Sequence, residues 1–309
     1  MDKKTTWFLL INPAAGAGKA IKKKEEIENA LEKSGLSYFT CVTSRAAEGE
    51  EITTRAIEEG YRKFLIAGGD GTLNEVVNGI MNQQFVNPKE VVLSQLPVGT
   101  GNDWRRTWKL PKKIDECIHL LVAEKTELHD IGKINFLSKQ DSKPLWFINV
   151  AGSGFDAQVA FAANLQKEKG NTGLHVYLLE LIKSLIHFKE PAFHVEADSE
   201  NFSFTGFTVL AGVCRYAGNN MKLVPEADPQ DGLLSIVMVE KLSKLKIIRN
   251  LSSLFSGKYI MLPEVKHSNC KKISIRSEPD FHVQVDGESK GKSPIEIEIF
   301  AQAISVIVP

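Results

Sequence analysis

The stretch that most limits what this chain can fold into runs from Phe64 to Ile80, FLIAGGDGTLNEVVNGI: four apolar residues, three glycines grouped about one aspartate, then a helical pattern. Leu73, Val76, Val77, Ile80 and Met81 recur at i, i+3, i+4, i+7 and i+8, the buried face of a helix that packs on the strand before it. Thr72 and Glu75 stand three apart, the capping-box spacing, so Thr72 is expected to satisfy the first helical N–H groups and Asp70 is left for another task. Gly68, Gly69 and Gly71 are expected to turn through positive φ and to bring N–H groups and the positive helix end to an anion. A carboxylate there repels a bare phosphate. A divalent cation between the two removes the conflict, because Mg²⁺ is held jointly by one or two carboxylates, waters and phosphate oxygens. The stretch therefore predicts a Mg²⁺–nucleoside triphosphate site.

The surrounding pattern supports a doubly wound α/β domain. Strands at Trp7–Ile11, Ser37–Thr43, Lys63–Ala67, Val91–Leu96 and Glu127–Gly132 alternate with helices at Lys19–Lys33, Gly49–Glu58 and Ile114–Ala123. Such alternation implies βαβ units, a parallel sheet, and ligands at the carboxyl ends of its strands. After about Asn135 the pattern becomes mostly antiparallel β, with strand-like runs from Trp146–Val150 to Ile295–Val308. Helices are expected to interrupt it at Leu174–His187 and at Ser243–Ser256, the second capped by Ser243 and stopped by Gly257. The expected domains are residues 1–132, rejoined by a C-terminal strand near 299–309, and a β-rich 133–298, with a cleft between them.

Composition excludes several classes. Lys plus Arg equals Asp plus Glu, 38 each, so no overall field attracts nucleic acid. The start, MDKKTTWFLLINP, reads as a first strand and not a signal peptide, and no apolar run is long enough to span a bilayer. Cys41, Cys117, Cys214 and Cys270 are isolated, which gives neither a zinc pattern nor a disulfide framework and suits a reducing cytoplasm. The seven histidines form no ligand pair and are read as solvated or satisfied.

Other motifs repeat the logic of the first. NPAAGAGKA (Asn12–Ala20) fits neither a Walker A loop nor a dinucleotide fingerprint, yet Gly16 and Gly18 before a helix allow backbone contact with a phosphate. PVGTGNDWRR (Pro97–Arg106) joins glycines to Asp103, with Thr100 and Asn102 able to hydrogen-bond phosphate or water. Arg105 and Arg106 could serve phosphate or lipid head groups, although a solvated pair is the commoner fate of adjacent arginines. Asp70, Asp103 and Asp130 are thus all offered at strand ends. VAGSGFDA (Val150–Ala157) is read as a packing turn. Asp228 and Asp231 precede a strand and could serve a turn or a structural Mg²⁺. In FHVQVDGESKGKSP (Phe281–Pro294) strict alternation and then Asp-Gly read as a hairpin tip, but the residues after Glu288 do not alternate, which makes it a poor hairpin and Glu288 a candidate general base at the cleft.

Together, Asn12-Pro13, GGDGTLNEVVNG, PVGTGNDW, VPEADPQDG and VDGE resemble the diacylglycerol kinase catalytic-domain family, which includes the bacterial soluble lipid kinases and the sphingosine kinases. GGDGT alone is shared with NAD kinases; joined to GTGND and VDGE it is far more specific. The resemblance implies an N-terminal nucleotide domain and a lipid-binding C-terminal β-sandwich. It places the ATP phosphates at Asn12, Gly16, Gly69, Asp70, Gly71, Thr72 and Thr100, Thr43 near the nucleoside, and Glu75 behind the loop. Asp70, Asp103 and Asp130 would form an aspartate and water network about a catalytic Mg²⁺, and Asp228, Asp231 and Leu233 a structural one. Asp70 and Glu288 would be catalytic, Glu288 deprotonating the lipid hydroxyl with Asp286 in support. The first loop departs from many relatives in reading Ala14-Ala15-Gly16 where a hydroxyl residue is common. The implied protein is a cytoplasmic, membrane-visiting kinase, a homodimer being allowed, that phosphorylates diacylglycerol or another lipid alcohol (sphingosine, ceramide, phosphatidylglycerol). An NAD kinase or a non-catalytic nucleotide- or lipid-binding protein is the other reading. To reach lipid it would use a surface patch, for which the apolar Leu174–Ile186 stripe is a candidate, although core packing is the commoner fate of such a stripe.

Overall fold

Every residue of the first strand, Trp7–Ile11, is buried, as befits a parallel strand covered on both faces. The computed structural model describes residues 2–45, 47–99, 101–138, 143–168 and 174–309, of which 167–168 and 174–178 by backbone alone. The chain divides into two compact units, Met1–Ile131 with Phe300–Pro309, and Gly132–Ile299. The first contains β1 (Trp7–Ile11), α1 (Ala15–Lys22), α2 (Lys24–Lys33), β2 (Tyr38–Val42), α3 (Gly49–Glu58), β3 (Lys63–Ala67), α4 (Asp70–Asn82), β4 (Val92–Gln95), α5 (Asp103–Thr107), α6 (Ile114–Ala123) and most of what begins as β5 (Thr126–Phe136). The second continues through β6 (Leu145–Phe147), β7 (Val150–Gly154), α7 (Phe155–Glu168), α8 (Leu174–His187), β8 (Ala192–Ala197), β9 (Glu200–Gly212), β10 (Leu234–Glu240), α9 (Lys244–Asn250), α10 (Ser253–Ser256), β11 (Val265–Cys270), β12 (Lys272–Glu278), β13 (His282–Val285), β14 (Glu288–Lys292) and the start of β15 (Ile295–Ile307).

In the first unit β1 pairs in parallel with β2 and β3, β3 with β4, and β4 with the end of β15, which gives the order β2-β1-β3-β4-β15. The chain steps from β1 to one side and then to the other, so the loops after β1 and β3 diverge at the carboxyl edge, where open α/β sheets bind ligands. Leu9, Ile11, Leu65 and Ile307 bury against Ile27 and Leu31 of α2 and Ile118 and Leu121 of α6. On α4 the expected face is buried at Leu73, Val76, Val77 and Ile80.

The start of α4 departs from expectation. The helix begins at Asp70 with Gly69 at its N-cap, and no side chain caps it. Thr72 therefore already lies within the first turn, and its hydroxyl accepts from Asn12 Nδ2 at 2.9 Å. Glu75 does not complete a capping box but accepts the Gly49 N–H at the start of α3, at 2.9 Å. None of Gly68, Gly69 and Gly71 has a positive φ. What the loop needs is room: a Cβ on Gly68 would lie 2.6 Å from Thr72 Cβ, and one on Gly99 2.6 Å from Gly69 Cα.

In the second unit β9 belongs to two sheets. Its first half pairs with β8, which continues to β12 and β15; its second half pairs with β7 and β10, which continue to β13, β14 and β11. β8 and β12 bury alternate residues, the period-2 signature of a one-sided sheet. Phe193, Val195, Ile273, Ile275 and Ile295 of one sheet share a core with Val209, Ala211, Ile236, Met238, Val283 and Val285 of the other, a β-sandwich-like arrangement.

Three expectations for this unit change. Ser243 caps its helix by accepting the Lys246 N–H, but the helix breaks into the short α9 and α10 before Gly257, at φ 77°, stops it. Among the side chains described on α8, the apolar stripe splits: Leu181 and Leu185 turn inward beside Phe155 and Phe188, while Ile182 and Ile186 are exposed. β13 and β14 do form a hairpin, joined by Asp286 and Gly287 at φ 47° and 82°, the pair of positive values of a type I′ turn. A register shift between Val283 and Gln284 takes up the irregular spacing after Glu288.

Candidate functional site

Three loops meet at the carboxyl edge of the parallel sheet. The loop after β1 carries Asn12, whose side-chain oxygen accepts the Ala14 N–H at 3.0 Å while its amide reaches Thr72. Gly16, Ala17 and Gly18 follow with φ of 61°, 56° and 82°, and a Cβ on Gly16 would lie 2.2 Å from the Val98 carbonyl oxygen of the loop after β4. Gly16 is thus required both by its backbone and by this close approach. The loop after β3 delivers Gly69 and then Asp70 and Gly71, the first residues of α4, whose N–H groups and positive end suit an anion. Thr43, buried just after β2, donates its N–H to Ile11 O at 2.9 Å. Thr100 lies outside the described residues.

Asp70 and Asp103 are brought together by backbone. The Asp103 N–H, at the start of α5, donates to both Asp70 oxygens at 3.0 and 3.2 Å. The Asp103 carboxylate is buried and pairs with Arg106 at 3.1 Å. Arg105 is not solvated as expected: it is 4% exposed, donates to the carbonyls of Gln95 and Pro111, and has Cys117 Sγ beside it at 3.5 Å, burial lowering its pKa. Gln95 in turn donates to Gly68 O at 3.2 Å, so this buried pair ties α5 to the end of β3.

Asp130 is placed differently from the strand end predicted for it. β5 runs on to Phe136, which leaves Asp130 mid-strand and fully buried, its Oδ1 accepting the Gln302 N–H at 2.6 Å. It is linked to α5 through His129. Trp104 Nε1 donates to His129 Nε2 at 2.9 Å, so Nε2 is the unprotonated nitrogen and Nδ1–H is directed at Asp130 O. Burial lowers the His129 pKa to about 4, in keeping with a neutral ring. Gln95, Trp104 and His129 were not singled out from sequence. Only their proximity to GTGND and to Asp130 marked them.

In the second unit Asp286 is held by three backbone donors: Ile148 N–H to Oδ2 at 3.0 Å, and Asn149 and Val150 N–H to Oδ1 at 2.9 and 3.1 Å. It locks the β13–β14 turn to the start of β7. Glu288 is the first residue of β14, opposite Val285, partly exposed and 2.7 Å from Lys290 Nζ. Asp228 and Asp231 close successive turns by accepting the Gln230 and Leu233 N–H groups at 3.1 and 2.9 Å. Leu233 meets Asp231 through its N–H. Partial burial and the neighbouring Asp228 charge raise the Asp231 pKa. In VAGSGFDA, a Cβ on Gly152 would lie 2.4 Å from Val209 O, which supports the packing reading.

Among the described residues no three Asp, Glu, His or Cys side chains gather as an all-protein metal cage would require. The donor set suits Mg²⁺ in the other way: one partly open carboxylate, Asp70, beside loop N–H groups fits an ion that keeps waters and shares phosphate oxygens. Asp103 meets it through its N–H, and Asp130 is held apart from it by the Gln302 N–H. Among the described residues no helix is long and apolar enough to cross a membrane.

Residues 6–134 match the diacylglycerol kinase catalytic domain, and residues 149–308 match the YegS C-terminal NAD kinase beta sandwich-like domain. A diacylglycerol kinase of Staphylococcus saprophyticus is 31% identical over 97% of this chain and 94% of its own length, and one of Staphylococcus epidermidis is 32% identical over 97% and 91%. Among solved structures, a diacylglycerol kinase of Bacillus anthracis superposes with a TM-score of 0.73 at 20% identity, over 100% of this chain and 98% of that one. A yeast NADH kinase shares the fold more distantly, at a TM-score of 0.52 and 12% identity over 99% and 84%. By its matched domains and its full-length relatives, the chain belongs to the diacylglycerol kinase catalytic-domain family and is a kinase.

Proposed function

We propose that the protein transfers the γ-phosphoryl group of ATP to the hydroxyl of diacylglycerol, giving phosphatidic acid and ADP at the surface of a membrane it visits from the cytoplasm. The observation that carries this reading is the joining of the GGDGT and GTGND loops through the Asp103 N–H and the Asp70 carboxylate, in a chain related along nearly its whole length to diacylglycerol kinases. The ATP phosphates would lie on the N–H groups of Gly69 and Gly71 and on the loop containing Gly16, Asn12 and Thr72 holding the two loops in register. Asp70 would hold Mg²⁺, which when bound supplies charge neutralisation for the phosphates. Asp103, whose N–H meets Asp70 and whose carboxylate pairs with Arg106, would fix the position of Asp70, and Asp130 would join the metal's water network as the family resemblance implies.

The lipid oxygen forms its bond to the γ-phosphorus as the bond to the bridging β–γ oxygen breaks, and ADP leaves with that electron pair. Glu288 takes the hydroxyl proton, its carboxylate held 2.7 Å from Lys290 Nζ. Asp286 fixes the turn that presents Glu288, and Asp228 with Asp231 offers a second, structural cation position. Labelled ATP offered with diacylglycerol, with other lipid alcohols, and with NAD tests the reading. Label in phosphatidic acid supports it. Label in another lipid keeps the kinase and changes the acceptor, and label on the dinucleotide alone overturns the lipid reading.

A further inference from the structure

From Lys241 to Pro263 the chain holds five cations, Lys241, Lys244, Lys246, Arg249 and Lys258, and no Asp or Glu, although the protein as a whole has balanced charge. One of the five, Lys246, pairs with Glu264. The same segment turns large apolar side chains outward: Leu245, Ile248 and Phe255 are between 55% and 66% exposed. Opposite faces of α8 and α9 show why. Leu181 and Leu185 of α8 and Ile247 of α9 pack on one cluster with Phe155 and Phe188, which leaves Leu179, Ile182 and Ile186 outward on α8 at 50% to 56% exposure. The two helices touch where Lys244 Nζ donates to Ile186 O. Isolated exposed apolar residues are ordinary, but two neighbouring helices that both turn such residues outward, one of them (α9) carrying only cations among its charged residues, are not.

We propose that the outward faces of α8 and α9 form a membrane-docking surface that inserts Ile182, Ile186, Leu245 and Ile248 at the headgroup boundary of an anionic bilayer, with Lys241, Arg249 and Lys258 against its phosphates. Apolar burial and attraction to anionic lipid act together in such an arrangement, neither being sufficient alone. A surface that docked a second copy of the chain would instead bring these cations against one another. The proposal rests on the lipid-kinase reading for its purpose, but its test needs no turnover.

The full chain is sedimented, without ATP, with vesicles of phosphatidylcholine alone and of phosphatidylcholine with phosphatidylglycerol. Wild type is expected to bind the anionic vesicles and not the neutral ones. Ile182→Ser combined with Ile248→Ser should weaken binding by at least about tenfold through lost apolar burial, and Arg249→Glu by about fivefold or more. Leu245→Ser alone provides an independent apolar variant. All should keep the wild-type melting temperature and phosphorylate a dispersed short-chain diacylglycerol at the wild-type rate. Equal binding by wild type and variants, binding that ignores lipid charge, or a dimer that the variants dissociate would each overturn the docking surface. Absence of phosphorylation by wild type would overturn the function and leave the vesicle result to stand by itself.

Discussion

The Asp286 carboxylate gathers the N–H groups of Ile148, Asn149 and Val150 while its own N–H donates to Val150 O at 2.9 Å, so one side chain joins a hairpin turn to the start of a central strand. In Asp286→Asn the oxygen can keep the bonds from Asn149 and Val150, and Asn tolerates the φ of 47° found here. The amide nitrogen must then face Ile148 N–H, donor against donor. One hydrogen bond to a charged group is lost and a buried donor is orphaned, which costs about 2 to 3 kcal/mol. Asp286→Ala orphans all three donors and should cost about 3 to 6 kcal/mol. In a unit of this size each kcal/mol lowers the melting temperature by about 2 to 4 °C, so the Asn variant should melt roughly 5 to 10 °C below wild type and the Ala variant further. Calorimetry with urea titration at one pH measures both. ATP affinity should not change, since the three donors that hold Asp286 belong to the second unit and not to the phosphate loops. A melting temperature for Asp286→Asn within about 1 °C of wild type, or equal losses for Asn and Ala, would refute the three-donor account.

Asp70→Asn keeps an acceptor for the Asp103 N–H and should change stability by less than about 1 kcal/mol, while turnover should fall at least about 10²-fold if this carboxylate holds Mg²⁺ as proposed; steady-state kinetics beside a thermal melt separates the two. Glu288→Gln should bind Mg²⁺–ATP normally and lose on the order of 10² to 10⁴ in kcat with lipid, so a kcat within a few-fold of wild type would remove Glu288 from the mechanism. Because burial holds His129 near a pKa of about 4, below its ordinary 6.5, the unfolded chain takes up its proton first as pH falls. The stability this ring contributes is complete above about pH 6.5 and is lost progressively toward pH 4, about 2 kcal/mol by pH 5. Denaturant midpoints from pH 7 to 5 should show that slope in wild type and a shallower one in His129→Phe.

The strand, glycine turn and helical stripe of Phe64–Ile80 can be read without a structure because each depends on period and turn chemistry within a few residues. The same holds for the fold class: a fully buried WFLLI and an alternating IEIEI belong to different kinds of sheet before any pairing is known. The motifs GGDGT, GTGND and VDGE, taken together, also sufficed to identify the family. Which atoms those motifs meet is a different matter. Thr72 has the spacing of a cap and instead accepts from Asn12, sixty residues away, because the loop after β1 passes close enough to offer an amide. Arg105 and Arg106 are adjacent and alike in sequence, yet one is buried against Gln95 O and the other pairs with Asp103, because the short α5 turns them to opposite sides. The hairpin at Asp286 forms despite broken alternation because Asp-Gly sets the turn and three N–H groups from a distant segment hold it. On α8, Leu185 and Ile186 are equally apolar neighbours in sequence, and only packing beside Phe155, Phe188 and α9 decides that the first is core and the second is surface. Local period sets which way a residue can point; what stands there to receive it is set by contacts between segments far apart in the chain, and those exist only once the chain has folded.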